Sequence, residues 1–230
     1  MLAAGTNGIT VNAAATDVVV LSGLDLEGAG SGLAGISFVQ GSALHVQHCR
    51  IAGFRSGVAA GIMFAPASGT TGLLVVSDTI INQNGTGASG GGIIVKPVGT
   101  GIAKVSIAHA SIDNNSVGIQ SNGTGNTGGI YMSVTDSTIS GNTNAGVHAL
   151  SVSGGATSSI FANRTVSVGN GTGYLADGPR AGVALNNSIA YGNAIGVSAV
   201  NSGATFTDKN NAINGNLTSD GTPTNQLTPE

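Results

Sequence analysis

The stretch that decides the fold is Gly118–Val147, GIQSNGTGNTGGIYMSVTDSTISGNTNAGV. It opens on Gly-Ile and places Ile130, Met132 and Val134 at alternate positions. It then closes on a polar cluster that ends in Asn142, before Gly-Val begins the pattern again. A spacing of two between apolar residues is typical of a β-strand with one buried face. The stretch therefore predicts short strands joined by Gly- and Asn-rich turns, without a helix.

The same pattern recurs along nearly the whole chain. A glycine before an apolar residue marks each repeat at Gly8, Gly35, Gly61, Gly92, Gly118, Gly146, Gly173 and Gly196. The apolar residue before the polar cluster is a second marker, at Leu26, Ile51, Ile81, Ile112, Ile139, Val166, Ile189 and Ile213. Successive markers are 23 to 31 residues apart, and the two series keep nearly one phase. This agreement predicts a tandem repeat.

A repeat of this length with three short strands suits one coil of a parallel β-helix, in which coils stack at about 4.8 Å. We predict an all-β, right-handed parallel β-helix of about 7–8 coils over residues 1–217, with a polar tail over 218–230. The rival fold is an antiparallel sandwich or barrel, because Asn-Gly pairs such as Asn84-Gly85 are typical of two-residue hairpins. Those pairs fall at different phases of the repeat, which favours the β-helix.

Composition limits the class of protein and its partners. The chain is 40% hydrophobic but only 3% aromatic, and it has no Trp, so we expect a core of small aliphatic layers rather than disorder. Seven Lys and Arg residues are scattered among ten Asp and Glu residues, which argues against a nucleic-acid partner. The single cysteine, Cys49, cannot form an internal disulfide and is expected to be buried.

The sequence also bears on localisation and on the ends of the solenoid. No apolar run is long enough for a membrane span, and the first residues lack the basic and apolar regions of a signal peptide. Open solenoid ends expose strand edges and need caps. The chain is therefore either cytosolic or a mature or truncated form. We expect the second case, an extracellular or cell-surface chain that is capped by sequence missing here or by self-association.

In its recurring Gly-Ile strand, long loop and V-x-(N/D)-S-x-I-x-x-N pattern, Gly118–Val147 resembles the right-handed parallel β-helix proteins of the pectin-lyase-like superfamily. The pattern covers residues 8 to about 216. The resemblance implies the fold and a groove for polysaccharide along the Gly-Ile strands. It implies no single activity, because that superfamily includes pectate and pectin lyases, polygalacturonases, alginate epimerases, phage tailspikes and surface proteins without known catalysis.

Alternation predicts the outward row of the Gly-Ile strands, which would line that groove: Ser37, Met63, Ile94, Gln120, His148 and Ser198, with Lys96 one step further along its strand. His148 and Lys96 are the catalytic candidates, and Gln120 and His148 are the binding candidates. Coil spacing puts His148 and Lys96 about 10 Å apart, with Gln120 between them. The alternative is that these are ordinary solvated side chains on an exposed strand.

Three further sets of polar residues have structural and functional interpretations. His48, Asp78, His109 and Asp136 each lie three residues before an apolar marker, which favours a bend between strands over a metal site. Asp177 and Arg180 are predicted to lie in a surface loop, with an ion pair between them as the alternative. A recurring asparagine predicts a stacked amide ladder, with an exposed sugar- or ice-binding face as the alternative: Asn84, Asn115, Asn142, Asn170, Asn193 and Asn216.

The function expected from the sequence is a non-catalytic surface or carbohydrate-interaction module, with a polysaccharide or cell-surface glycan as partner and no metal or other cofactor. The alternative is a polysaccharide lyase or epimerase acting on uronate polymers, intact or degenerate. That chemistry needs a base for the C5 proton and a cation for the carboxylate, so Ca²⁺ enters only in this case. Glycoside hydrolysis would need paired carboxylates, which the row lacks.

Overall fold

The computed structural model describes residues 1–87 and 89–227, which contain 25 strands and no helix. In the first four coils the strands are β1 (Ile9–Asn12), β2 (Val18–Ser22), β3 (Asp25–Glu27), β4 (Ala34–Gln40), β5 (Ala43–Gln47), β6 (Arg50–Ala52), β7 (Ala60–Phe64), β8 (Thr71–Ser77), β9 (Ile80–Asn82), β10 (Gly91–Val95), β11 (Ile102–Ala108) and β12 (Ser111–Asp113). In the last four coils they are β13 (Val117–Asn122), β14 (Gly129–Thr135), β15 (Thr138–Ser140), β16 (Ala145–Leu150), β17 (Thr157–Asn163), β18 (Val166–Val168), β19 (Thr172–Asp177), β20 (Ala181–Asn186), β21 (Ile189–Tyr191), β22 (Ile195–Val200), β23 (Ala204–Thr207), β24 (Ala212–Ile213) and β25 (Asn225–Gln226).

Each strand pairs in parallel with its counterpart one coil away, and this pairing builds three sheets. The first sheet runs β1-β4-β7-β10-β13-β16-β19-β22, the second runs β2-β5-β8-β11-β14-β17-β20-β23-β25, and the third runs β3-β6-β9-β12-β15-β18-β21-β24. The described residues thus form a parallel β-solenoid of about eight turns with three strands per coil. The predicted β-helix is confirmed, and the antiparallel rival is wrong because every strand pair is parallel.

Inward side chains of the three sheets form continuous aliphatic stacks. In the first sheet Ile36, Ile62, Ile93 and Ile119 are stacked in register and are fully buried. Cys49 is buried as predicted. Neighbouring coils present similar side chains at equivalent positions. Small aliphatic residues therefore fill the interior of most coils without large rings.

The apolar marker of the third sheet is correct in its first five members and wrong in two later ones. Ile139 pairs with Ser167, and Ser167 pairs with Ala190, so Val166 and Ile189 face outward and the marker is one residue out of register there. This change coincides with Tyr174, which occupies an inward position of the first sheet, is fully buried, and donates its hydroxyl to the Thr165 and Ile189 carbonyls at 2.8 and 3.3 Å. Its large ring needs small neighbours on the facing sheet, and Ser and Ala provide that space.

The recurring glycine is required by close approach between coils. A Cβ on Gly118 would lie 2.5 Å from the carbonyl oxygen of Gly146 and 2.6 Å from Cγ2 of Ile139. The other glycine markers meet the next coil in the same way, at 2.5–2.9 Å from a backbone oxygen. Any larger residue would push neighbouring coils apart, which explains why this marker keeps its identity through all eight repeats.

The two ends of the described chain add further pairing to the outermost coils. At the start, Ala3 N donates to the Glu27 carbonyl at 2.8 Å. At the other end, β25 pairs with β23, and Thr224 exchanges hydrogen bonds with Thr205. Residues 218–227 of the predicted tail therefore contact the last coil; the remaining three lie outside the described residues. Within the described ranges, no helix is long and apolar enough to cross a membrane.

Candidate functional site

The outward row predicted for the Gly-Ile strands is a true row of the first sheet. Register places Ser37 beside Met63, then Ile94, Gln120 and His148 on successive coils. Leu175 lies between His148 and Ser198 in this row. The sequence interpretation had left Leu175 out. Strand alternation was therefore sufficient to align side chains from distant parts of the chain.

Gln120 and His148 form a buried hydrogen-bonded pair. Gln120 is 1% exposed and the His148 side chain 12% exposed, so the expectation of solvated side chains is wrong for both. Gln120 Nε2 lies 3.1 Å from His148 Nδ1. Asn122 Nδ2 donates to Gln120 Oε1 at 3.2 Å, and the Asn122 oxygen accepts from Thr124 Oγ1 at 2.6 Å. Asn122 and Thr124 are polar partners that sequence reasoning did not identify.

This network assigns the histidine tautomer. Since the Gln120 oxygen accepts from Asn122, the Gln120 amide nitrogen donates to His148 Nδ1, and the ring proton is placed on Nε2. Nε2 lies 4.0 Å from Asp177 Oδ2, beyond hydrogen-bond distance. Burial lowers the pKa of His148. The negative charge of Asp177 acts in the other direction but is the smaller effect. The imidazole is therefore neutral at pH 7, with its lone pair already accepting a hydrogen bond.

Of the two residues predicted to lie in a surface loop, Arg180 lies in an exposed turn after β19, but Asp177 does not. Asp177 is the last residue of β19, and it accepts a hydrogen bond from Asn201 Nδ2 at 2.7 Å. Arg180 Nη2 instead donates to Thr157 Oγ1 at 3.2 Å. Strand β19 extends as far as Asp177, whose carboxylate therefore lies near His148 rather than beside Arg180.

Lys96 is not part of the Gln120–His148 pair. It directly follows β10, which ends at Val95, and its side chain is exposed. Lys96 lines a depression of about 510 Å³ together with Met63, Pro97 and Thr124. Among the described residues it has no ion-pair partner. The row therefore presents one accessible cation above a partly apolar floor.

The turn from the second to the third sheet, which we call the bend corner, contains the predicted His-Asp column. His48, Asp78, His109 and Asp136 all have φ between 48° and 52°, a left-handed conformation that makes the chain turn sharply. Arg164 continues the column and donates to Asp136 from Nε and Nη2, at 2.7 Å each. This pairing lowers the pKa of Asp136. The bend interpretation is confirmed by these torsions.

Metal ligands do not gather at the bend corner or elsewhere in residues 1–87 and 89–227, where no group of three or more His, Cys, Asp or Glu side chains is placed to hold an ion.

The turn from the third to the first sheet, which we call the ladder corner, contains the predicted asparagine ladder. In each coil the Asn oxygen accepts from the backbone N–H and the Nδ2 of the Asn one coil earlier: Asn142 accepts from Asn115 at 2.9 and 3.1 Å. Asn142 Nδ2 also donates to the Ile112 carbonyl at 3.2 Å. The first five ladder residues are buried, so an exposed sugar- or ice-binding face is excluded there: Asn84, Asn115, Asn142, Asn170 and Asn193.

Different residues terminate the ladder at its two ends. At the first end Phe54 N donates to Asn84 Oδ1 at 3.1 Å, and the fully buried Phe54 ring fills the volume below. At the last end Asp220 Oδ1 accepts from Asn216 N and Nδ2 at 3.0 and 2.9 Å. These two hydrogen bonds lower the pKa of Asp220. An aspartate thus takes the place of the next asparagine.

Comparison with known proteins does not assign the chain to a family. No model of a known protein family matches it, and no curated protein matches it either.

Proposed function

We propose that the protein is a non-catalytic β-solenoid interaction module of the cell surface or extracellular space, and that its partner is an acidic polysaccharide or cell-surface glycan. One observation carries this proposal. Gln120 and His148 are hydrogen-bonded to each other on the first sheet, while the Lys96 side chain is exposed beside a depression of about 510 Å³. The row thus offers a cation for binding rather than a base for chemistry.

The state of His148 supports binding over catalysis. A lyase or epimerase needs a base whose lone pair reaches the C5 proton of a uronate. In His148 the Nδ1 lone pair accepts from Gln120, and Nε2 carries the proton and is buried. The lyase or epimerase alternative, with its Ca²⁺, would require this pair to separate before reaction.

The surroundings of Lys96 suit an acidic sugar. An ammonium group pairs with a carboxylate as a point charge, the Thr124 hydroxyl can bond a sugar hydroxyl, and Met63 offers an apolar contact to a ring face. Kinship with the pectin-lyase-like superfamily is part of the same proposal. It is supported by the three-strand coil and by the pattern of Gly118–Val147, which resembles that superfamily.

The proposal is tested by titrating the protein with galacturonate, guluronate and neutral oligosaccharides by calorimetry. We expect an acidic ligand to bind, and Lys96→Gln to weaken its binding roughly fivefold, the effect of one exposed ion pair. Lys209→Gln, which removes the same charge from another exposed position, is the control and should bind as the parent does. Absence of binding to every oligosaccharide would overturn the proposal. Unsaturated uronate products that disappear in His148→Ala would establish the lyase alternative instead.

A further inference from the structure

The few aromatic side chains of this protein are unevenly distributed. The chain has three Tyr and five Phe residues, and four of these eight are buried in the interior. Of the other four, three lie on the outward face of the second sheet: Tyr131, Phe161 and Phe206. Tyr131 is 52% and Phe161 39% exposed. Most of the rings outside the core therefore lie on the outward face of one sheet.

Tyr131 and Phe161 lie diagonally on adjacent coils. Lys104, Tyr131 and Ser159 form one outward row, and Ser106, Ser133 and Phe161 form the next, two residues along the strand. One coil step and two residues along a strand put the Cα atoms of the two aromatic residues roughly 8 Å apart. Together these rows line a shallow cleft of about 420 Å³. Parallel pairing of β14 with its neighbours holds this arrangement rigidly.

The polar groups of the cleft are available to a ligand. Within the part of the chain that the structure describes, the hydroxyls of Ser106, Ser133 and Ser159 have no hydrogen-bond partner, and Lys104 has no ion-pair partner. Lys104 is also the one charged side chain among the residues that line this cleft. The face thus combines two exposed rings, hydroxyls between and beside them, and a single cation.

We propose that this face, which we call the aromatic platform and define by Lys104, Tyr131, Ser133, Ser159 and Phe161, is a second glycan-binding site for an acidic oligosaccharide. The inference rests on the proposed function and adds a site to it. The apolar faces of two sugar rings stack on Tyr131 and Phe161, a uronate carboxylate pairs with Lys104, and sugar hydroxyls bond to the two serines.

An oligosaccharide fits the platform better than an apolar protein surface does. A second copy of this face, or an apolar partner, would bury the serine hydroxyls and the Lys104 ammonium without matching acceptors, and such burial is costly. A sugar supplies hydroxyls beside each apolar ring face, and an acidic sugar adds the counter-charge. The chemistry of the cleft therefore selects a ligand that is amphipathic and anionic.

The experiment measures binding of uronate and neutral oligosaccharides to the parent and to Tyr131→Ala, Phe161→Ala and Lys104→Gln. We expect each aromatic substitution to weaken binding about tenfold. Lys104→Gln should abolish the preference for acidic over neutral ligands at this site. Tyr191→Ala, which removes a 55% exposed tyrosine from the third sheet, is the matched control and should bind normally.

The outcomes separate this inference from the proposed function. If Lys96→Gln weakens binding and Tyr131→Ala does not, the aromatic platform is refuted while the proposed function stands. If no oligosaccharide binds the parent, the proposed function fails and the platform fails with it. Sedimentation analysis completes the test: a parent dimer that Tyr131→Ala converts to a monomer, with glycan binding unchanged, would assign the platform to self-association and overturn the inference.

Discussion

The ladder corner and the bend corner both repeat once per coil, but only the ladder corner keeps its residue. From Asn84 to Asn216 the ladder position is always asparagine, whereas the bend position changes from His48 through Asp136 to Asn187. The first five ladder side chains are buried, and those between the two ends of the ladder are bonded to the coils on both sides. Bend side chains are exposed or half-exposed, and what recurs there is a φ near 50°.

The two corners are constrained by different physical requirements. A ladder side chain must accept two hydrogen bonds and donate two more, at a fixed length, inside the protein, and only asparagine does so. The bend corner requires only a left-handed backbone, which costs a non-glycine residue roughly 1–2 kcal/mol and leaves its side chain free to vary. Recurrence of one residue type thus indicates buried bonding, and recurrence of position alone indicates backbone geometry.

The largest effect that tests this comparison is expected for Asn142→Ala. Removing the amide leaves the buried Asn115 N–H without its acceptor and the Ile112 carbonyl without its donor. Each unsatisfied group is costly, so we expect the free energy of unfolding to fall by about 3 kcal/mol. Chemical denaturation measures this change. A loss as small as that of His109→Ala at the bend corner would show that the two corners do not differ.

A somewhat smaller loss is expected for Gly118→Ala. The added methyl would meet the Gly146 carbonyl and the Ile139 side chain, and forced separation of the coils should cost about 2 kcal/mol. Gly169→Ala is the control, because Gly169 has a φ of 66° but its Cβ would meet only the Gly141 nitrogen, at an ordinary contact distance of 3.8 Å, and it should lose only about 1 kcal/mol. Equal losses in denaturant titrations would contradict the crowding explanation for the glycine marker.

The stability of the protein at acid pH should depend on Asp220, which terminates the ladder. Its two hydrogen bonds from Asn216 lower the pKa of its carboxyl below the ordinary value of 3.8. Stabilisation by Asp220 is therefore complete above pH 3.8 and is lost as the pH falls through the lowered pKa. Asp220→Asn offers a neutral oxygen at the same place, so its melting temperature should fall less steeply below pH 4. Parallel acid profiles of parent and variant would refute this role.

The smallest effect is expected for His109→Asn at the bend corner. Asparagine adopts the left-handed conformation at least as readily as histidine, and the side chain is exposed. The unfolding free energy should change by less than about 0.5 kcal/mol. A large loss in the same denaturation assay would mean that the bend column carries side-chain interactions comparable to those of the ladder.

Much of the fold could be predicted because repeats constrain one another. Alternation placed Ile130 and Val134 in the core and aligned Gln120 with His148 across 28 residues. The register error at Val166 and Ile189 arose because the sequence interpretation assumed an apolar residue at every core level. It did not foresee that Tyr174, on a different sheet, makes a small residue better there.

The candidate site could be predicted only in part. Alternation shows on which side of a sheet a residue lies, but not whether neighbours bury it, and Gln120 is buried although it points outward. The aromatic platform had no repeat signal, since Tyr131 and Phe161 occupy different rows and come from different coils. Such a juxtaposition depends on stacking register, which no single repeat contains.

The central claim, that the recurring asparagine is a buried structural column, is tested most directly by NMR hydrogen exchange of asparagine side-chain amides. The account predicts that the Nδ2 protons of Asn115, Asn142 and Asn170 exchange only through global unfolding, because each amide is buried and donates to the next coil. The amides of Asn114 and Asn187 are exposed, and we expect them to exchange far faster than the ladder amides. Exchange of the three ladder amides as rapid as that of Asn114 and Asn187 would contradict the account.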